Sequence, residues 1–181
     1  MKNFVRELII TIALAVVIFL GARLTIQTFV VLMTSMEPNF HEGQRLVVNK
    51  AVYFFGDPQR GDVIVFDAPT RATEDFIKRV IGLPGDKVKI MNGKVYINGT
   101  ALDEPYIMEA PAYTMAEEEI TEDMYFVLGD NRNHSNDSHN GWLVPRDSII
   151  GKAWLSTWPP DYWGAVLNYP LSEQLTGADT Q

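Results

Sequence analysis

The amino end of the chain is uniformly apolar, whereas the rest alternates between apolar and polar positions over short distances. Residues 8–22 read LIITIALAVVIFLGA and carry no charge, with Lys2 and Arg6 before them and Arg23 after them. A core helix of this length would usually be amphipathic, but this segment is apolar on every side. With its apolar flanks it reaches the roughly 20 residues that a membrane span needs. The pattern predicts a transmembrane anchor.

A cleavable signal peptide is the alternative interpretation of this segment. A cut after Ala22 would place Leu20 at the third position before the cut, where a small side chain is required. We therefore expect an uncleaved anchor. Basic residues before the span favour a cytoplasmic amino terminus. The prediction is an anchor over residues 1–23 and an extracytoplasmic domain over residues 24–181.

Downstream of the anchor, short runs rich in β-branched and aromatic residues are separated by Gly and Pro. Asn92-Gly93 and Asn98-Gly99 are typical hairpin turns. Residues 109–123 are polar and acidic, and we expect a loop with at most one helical turn; residues 173–181 are expected to be a frayed tail. The pattern predicts an all-β or β-rich domain after one helix. Strands are predicted in LTIQTFVVLM, RLVVNKAVYFF, GDVIVFDAP, DFIKRVIGL, VKIM, KVYI, MYFVLGD and SIIGKAWLSTW.

Composition narrows the possible chemistry. The 181 residues carry a net charge of -8 and include no cysteine. The acidic balance and the lack of a Lys/Arg-rich patch argue against nucleic acid as a partner. Without cysteine, disulfides, thiolate catalysis and the common structural zinc sites are excluded.

Two adjacent cations interrupt an otherwise apolar predicted strand, FIKRVI. A period of two places Lys78 on one face and Arg79 on the other. Both could extend to solvent from an edge strand. Alternatively, one is buried; a buried lysine loses its proton more readily, and the neutral amine can deprotonate a serine hydroxyl. A guanidinium cannot do this.

Ser35 ends the apolar run TFVVLMT, directly before Met-Glu-Pro. It fits an ordinary turn, but it could equally be a nucleophile held near the membrane. The pattern alone leaves both interpretations open.

The histidine-containing loop NRNHSNDSHN offers rival sites. A Ser-His-Asp set can be written from it, but triad members usually face one another across a cleft from separate elements. A metal site on His134 and His139 lacks obvious further ligands. Counting from Asp130, the third and fifth positions are Arg132 and His134, which fails the EF-hand spacing.

Five segments in order carry a family resemblance: SMEP, RGDVIVF, FIKRVIGLPGD, NGKVYINGTALDEPYI and VLGDNRNHSNDSHNGWLVPRDSIIGKA. With the anchor before them, the chain resembles the type I signal peptidases, membrane-anchored serine peptidases that remove signal peptides from exported proteins. The resemblance implies coiled antiparallel sheets with a small hairpin insertion at about 86–122. It also implies a plasma-membrane location, signal peptides and the lipid bilayer as partners, and no metal or organic cofactor.

The resemblance also implies roles for individual residues. Ser35 would be the nucleophile, Lys78 the general base, and Ser135 the hydroxyl that orients the lysine amine. The residues expected to buttress the site are Asp130, Asn131, Arg132 and Asp137. Those expected near the substrate are Met33, Thr34 and Met36.

Three positions depart from the family pattern. Asn39 stands where many members have threonine, and His139 where many have arginine. The arginine would be a permanent cation, so we expect histidine to brace its carboxylate partner less strongly and in a pH-dependent way. Met33 occupies the place of a hydroxyl that some relatives carry two residues before the nucleophile, which leaves the Ser35 amide as the expected oxyanion donor.

Two sets of apolar residues have open roles. One is expected to form either pocket walls or core, namely Val30, Val31, Leu32 and Met33. The other is expected to lie at the lipid interface or to pack inside the domain, namely Trp154, Trp158, Tyr162 and Trp163.

Two rival functions are weighed against a signal peptidase. A self-cleaving repressor-type peptidase shares Ser/Lys chemistry but would need a DNA-binding domain or its own cleavable segment. A membrane-anchored β-domain that binds peptides without cutting them would need no dyad.

Overall fold

A single long helix precedes a chain that is almost entirely β-stranded. The structure, a computed structural model, describes residues 2–69, 74–169 and 171–176. Helix α1, Lys2–Thr25, has 24 residues and is therefore about 36 Å long, which exceeds the roughly 30 Å of a bilayer's hydrocarbon core. None of its apolar window is buried in the protein. Within the described ranges it is the one helix long and apolar enough to cross a membrane, in agreement with the predicted anchor.

The described residues form twelve strands in two antiparallel sheets. The larger sheet has the order β1-β2-β11-β3-β4-β9-β10, with β12 paired to β11; the smaller has the order β7-β6-β5-β8. The strand bounds are β1 Ile26–Val30, β2 Arg45–Asn49, β3 Val63–Asp67, β4 Asp75–Gly82, β5 Lys87–Met91, β6 Lys94–Ile97, β7 Thr100–Ala101, β8 Met115–Glu119, β9 Met124–Leu128, β10 Val144–Pro145, β11 Ile149–Trp158 and β12 Gly164–Ala165. This arrangement confirms the predicted β-rich class.

The prediction of a loop over residues 109–123 is wrong for part of that segment. Residues 115–119 form β8, which pairs with β5 from Lys87↔Glu119 to Ile90↔Met115. Its side chains are mostly exposed, so the sequence shows no apolar alternation there. Backbone pairing with β5 and the packing of Met115 against the core of the smaller sheet determine the strand.

Two other predicted elements end differently. The predicted strand over residues 45–55 stops at Asn49, because the Asn49 side chain accepts the backbone N–H groups of Ala51 and Val52 and turns the chain. In the predicted tail, Glu173–Thr176 form a short helix, α2. Gln174 there makes two hydrogen bonds to the backbone of Asp103. The rest of the tail, residues 177–181, lies outside the described residues.

Strand β4 carries the predicted cations and connects the two sheets. It pairs with β3 from Asp67↔Asp75 to Val63↔Arg79. Its pairing with β9 begins only at Arg79. Among the described strands, none pairs with the β9-side edge of residues 75–78. Backbone groups along this edge are therefore not paired with a neighbouring strand.

Candidate active site

Ser35 lies in a compact turn that follows β1. The amide of Glu37 donates to the carbonyl of Thr34 at 3.1 Å, and the amide of Phe40 to that of Met36 at 3.0 Å. Met36 is fully buried and packs with Phe40 in the core cluster under β2. This burial anchors the turn that presents Ser35. The expected place of Met36 near the substrate stays a prediction.

Lys78 and Ser35 are joined across 43 residues of sequence. The amine Nζ of Lys78 lies 2.8 Å from Oγ of Ser35, and it donates to the carbonyl of Ile77 at 3.0 Å. Lys78 is 1% exposed and Ser35 6%. Burial lowers the pKa of Lys78 to about 8, although the charges of Asp137 and Asp130 act to raise it. A group with this pKa can accept a proton near neutral pH.

Arg79 is also buried, so the alternative in which both cations reach solvent is wrong. Its guanidinium holds Asp130 through two hydrogen bonds, Nε to Oδ1 at 2.9 Å and Nη2 to Oδ2 at 2.8 Å. It also donates to the carbonyls of Gly61 and Leu167. One face of β4 thus carries Lys78, whose amine can lose its proton. The other face carries Arg79, a permanent cation whose charge is paired with Asp130.

Asn39, at one of the positions that depart from the family pattern, completes this buried pair. Its Nδ2 donates to Oδ2 of Asp130 and to the carbonyl of Tyr106, both at 2.8 Å. A threonine hydroxyl has one proton to donate, whereas an amide nitrogen has two. Asn39 therefore satisfies two acceptors from two different segments with one side chain.

The loop after β9 holds the serine turn from the opposite side. The backbone amide of Asn131 donates to the carbonyl of Ser35 at 3.0 Å, and its Nδ2 to that of Thr34 at 3.2 Å. Gly129 lies beneath these contacts; a Cβ there would lie 2.4 Å from both the Ser35 carbonyl oxygen and Ser135 Oγ. The role of Gly129 was not predicted from the sequence, although the glycine stands within the segment VLGD that carries the resemblance.

Ser135 is close to this arrangement but makes no hydrogen bond to Lys78. Among the described residues, its buried Oγ has no hydrogen-bond partner. The hydroxyl lies across Gly129 from the Ser35 carbonyl. Its predicted role toward the lysine amine remains a proposal.

Asp137 is completely buried and accepts several hydrogen bonds. Its Oδ2 accepts from the amide of Gly129 at 2.9 Å. Its Oδ1 accepts from the amide of His139 at 3.2 Å and lies 2.6 Å from the ring Nδ1 of the same residue. The imidazole is stacked on Tyr113 with ring centroids 4.0 Å apart. The neighbouring Ser138 hydroxyl accepts from Val127 instead, so the loop contains a His–Asp pair without a serine hydrogen-bonded to it among the described residues.

Arg132 connects the site loop to the segment that follows the smaller sheet's β7. It makes a fork of two 2.7 Å hydrogen bonds to the carboxylate of Glu104, and its Nε donates to the carbonyl of Gly129 at 3.0 Å. Glu104 and Tyr106 were not identified from sequence, because an isolated Asp-Glu-Pro-Tyr run gives no sign of its distant partner. Over the described residues, no group of three His, Asp or Glu side chains is placed to bind a metal.

A narrow groove leads to the Ser35–Lys78 pair. Its cavity of about 50 Å³ accommodates a few waters or a small side chain. It is lined by the end of β1 with the chain after it and by the free-edged part of β4, together with the exposed Glu74 and Asp75. Thr34 does not line this groove. The predicted pocket-wall residues all do, and among them Val31 is buried whereas the others are exposed, namely Val30, Leu32 and Met33.

Comparison with known proteins assigns the chain to a family. Residues 2–158 match the family described as signal peptidase, peptidase S26. A solved structure of a signal peptidase I from Enterococcus faecalis V583 has a TM-score of 0.49 and 35% identity, covering 54% of this chain and 97% of that one.

Curated relatives span most of both chains. Signal peptidase I of Leptolyngbya laminosa is 45% identical, covering 86% of this chain and 81% of the relative. The probable signal peptidase I-2 of Synechocystis sp. is 43% identical, covering 87% and 75%. Signal peptidase IB of Staphylococcus aureus is 35% identical, covering 88% and 92%. This chain therefore belongs to the signal peptidase family, peptidase S26.

Proposed function

We propose that this chain is a membrane-anchored serine endopeptidase that removes signal peptides from exported preproteins with Ser35 as nucleophile and Lys78 as general base. The observation that carries the proposal is the 2.8 Å contact between a buried amine of lowered pKa and a hydroxyl at the end of a groove. Family membership supports the same activity.

The reaction follows from the proton positions. Neutral Lys78 accepts the Ser35 hydroxyl proton as Oγ attacks the scissile carbonyl. The resulting ammonium protonates the leaving amine, and an ester on Ser35 remains. Lys78, neutral again, activates the water that hydrolyses this ester. The chemistry needs one group that changes its protonation state, and Lys78 is buried enough to be that group.

The oxyanion would be stabilised by the backbone. Among the described residues, the amide of Ser35 donates to no protein acceptor, so it is available to the developing negative charge. Met33 replaces the side-chain hydroxyl that some relatives have. We assign the first donor to the Ser35 amide.

The remaining polar residues would position the dyad. Ser135 has a buried, unpartnered hydroxyl, which can pair with the Lys78 ammonium once it forms. Asp130, Asn131, Arg132 and Asp137 hold the backbone on which Ser35 rests, through the contacts already described.

The substrate would bind as an added strand. Residues 75–78 have a free edge toward the groove, and an extended peptide can satisfy those backbone groups. The groove is narrow, and its lining is largely apolar, with Val31 and Ile77 among the lining residues. Both features favour small side chains, such as alanine, before the cut.

The membrane would set the depth of the site. Helix α1 ends at Thr25, ten residues before Ser35, and Lys2 and Arg6 favour an amino terminus in the cytoplasm. The four aromatic residues of the carboxyl-terminal part are 44–67% exposed, which does not fit internal packing; they are Trp154, Trp158, Tyr162 and Trp163. We place them at the outer surface of the plasma membrane.

The test uses the full chain in liposomes with a preprotein whose signal ends in Ala-x-Ala. Ser35→Ala and Lys78→Ala should each abolish cleavage, while Lys94→Ala, on an exposed lysine of β6, should not. A chelator should have no effect. If Lys78→Ala cleaves at the normal rate, the base is another residue; binding without cleavage by the unmodified chain would favour the peptide-binding alternative.

A further inference from the structure

A loop with two exposed phenylalanines lies beside the carboxyl end of α1. The amide of Lys50 donates to the carbonyl of Thr25, the last residue of the helix, at 2.8 Å. One short turn then leads to Phe54 and Phe55, which are 59% and 98% exposed, and Val52 on the same loop is 40% exposed. We call residues 52–55 the aromatic finger.

Hydrogen bonds hold the finger on both flanks. Before it, Asn49 Oδ1 accepts from the amides of the following turn at 3.0 and 3.3 Å. After it, Arg146 Nη2 donates to the carbonyls of Tyr53 and Gly56 at 2.8 and 2.9 Å, and Nε to Asp57 at 3.0 Å. The backbone on either side of Phe54 and Phe55 is therefore held by hydrogen bonds.

The tyrosine of the finger shows that aromatic residues here are not exposed by default. Tyr53 points inward, where it is buried and donates to Asp62 at 2.8 Å. Its two neighbours point away from the protein. Burial of one ring and exposure of the next two indicate a surface that is built to meet an apolar medium.

The helix end places this loop at the level of the bilayer surface. A 3₁₀ turn rises about 2 Å per residue, so Phe55 lies within roughly 10 Å of the residue bonded to Thr25. A helix that spans the hydrocarbon core ends in the interfacial region, where aromatic side chains are favoured. The finger is thus continuous with the anchor.

We propose that the aromatic finger inserts into the lipid interface beside α1 and forms a second attachment that fixes the rotation of the peptidase domain about its anchor. The inference rests on the proposed membrane-anchored function. A single helix tethers the domain but leaves it free to turn about the helix axis, whereas a second insertion point holds the groove in one orientation.

The finger is separate from the exposed tryptophans of the carboxyl-terminal part. On β11, Lys152 pairs with Asn49 next to the finger, whereas Trp158 pairs with Arg45 at the opposite end of β2. Five strand residues span about 13 Å. Contacts at both ends of β2 would lay this part of the sheet along the membrane, with Ser35 near the end farther from the anchor.

A labelling experiment tests the insertion directly. Because the chain has no cysteine, Phe55→Cys and the control Lys94→Cys each give one site for an environment-sensitive fluorophore in the full chain. In liposomes of phosphatidylethanolamine and phosphatidylglycerol, label at 55 should be shielded from iodide and quenched by lipids that carry a shallow nitroxide. Label at 94 should be quenched by iodide and should not be quenched by the nitroxide lipids. Equal iodide quenching at both sites overturns the proposal. Shielding of the label at 55 in native membranes but not in pure lipid also overturns it, because a membrane protein and not lipid would then cover the finger.

A cleavage experiment tests the consequence. The double variant Phe54→Ser/Phe55→Ser should process a membrane-inserted preprotein roughly three- to tenfold more slowly, because orientation relative to the bilayer is lost. Hydrolysis of a short water-soluble peptide should not change. If the double variant processes the membrane-inserted preprotein as fast as the unmodified chain does, the proposed orienting role is overturned. The same holds if it loses equal activity on both substrates. If the unmodified chain cuts neither substrate, the proposed function fails, and the labelling result still decides the insertion.

Discussion

His139, at a position where many family members are expected to have arginine, has its Nδ1 2.6 Å from Oδ1 of Asp137. The carboxylate is fully buried and is one of two whose negative charge raises the pKa of Lys78. The side chain at position 139 therefore determines how much of that charge is neutralised. Residue 139 therefore affects the pKa of Lys78 through Asp137, without contacting the lysine.

Replacing His139 with arginine should make the enzyme more active at neutral pH. A permanent cation would offset Asp137 at every pH and so lower the pKa of Lys78 further. The acidic limb of kcat/KM should move to lower pH, and activity at pH 7 should rise roughly two- to fivefold. The pH–rate profile of the purified full chain measures this.

The control is His134→Arg, which adds the same charge on the exposed part of the same loop. Its profile should coincide with that of the unmodified enzyme, since solvent screens an exposed charge. An acidic limb for His139→Arg that stays in place or moves to higher pH would contradict the coupling between positions 139 and 78.

Lys78 should make the fold less stable at neutral pH. Its folded pKa is about 8 and its unfolded pKa about 10.4, so between these values the unfolded chain binds more protons and stability rises with pH. The stabilising contribution is present above the unfolded pKa and lost as pH falls through 8. Lys78→Met should therefore raise the free energy of unfolding at pH 7 by about 1–3 kcal/mol.

Denaturant unfolding at pH 7 and at pH 10 would measure this difference, which should shrink at the higher pH. Lys94→Met, on an exposed lysine, should change neither value by more than about 0.5 kcal/mol. If Lys78→Met is less stable than the unmodified chain at pH 7, Asp130 and Asp137 compensate the buried ammonium more strongly than its lowered pKa implies.

Periodicity predicted most of the strands, but it could not decide which cation of β4 is buried. That outcome depends on partners far away in sequence: Asp130 meets Arg79, and the Ser35 turn covers Lys78. Strand β8 was missed for the same reason. Its polar side chains show no apolar alternation, and the strand depends on backbone pairing with β5. The family motifs predicted the pairing of Ser35 with Lys78, which periodicity could not. Their order along the chain implied which distant segments come together.

Asn39→Thr should destabilise the protein although it restores the residue that many family members carry. The asparagine amide donates to both Asp130 and the Tyr106 carbonyl, and a hydroxyl can satisfy one of them. Leaving a buried acceptor unpaired should cost about 1–2 kcal/mol in the free energy of unfolding.

Asn140→Thr is the matched control, because Asn140 is exposed and its side-chain amide donates only to Asn136, at 3.1 Å, among the described residues. It should change the free energy of unfolding by less than about 0.5 kcal/mol. If the two variants unfold at the same denaturant concentration, Asn39 does not bridge the two segments in solution.

Gly129→Ala should inactivate the enzyme while leaving it folded. The new methyl group would lie 2.4 Å from the Ser35 carbonyl oxygen and from Ser135 Oγ, so the serine turn must move away from the loop that holds it. A displacement of about 1 Å at a nucleophile lowers kcat/KM on the order of 100-fold.

The matched control is Gly56→Ala, whose methyl would meet its nearest atom at an ordinary 3.5 Å. This variant should keep normal activity on a soluble peptide. Circular dichroism would show whether both variants retain the β-rich fold. A folded Gly129→Ala enzyme with full activity would mean that the Ser35 turn does not need this close contact, and the assignment of the loop after β9 as its support would have to be withdrawn.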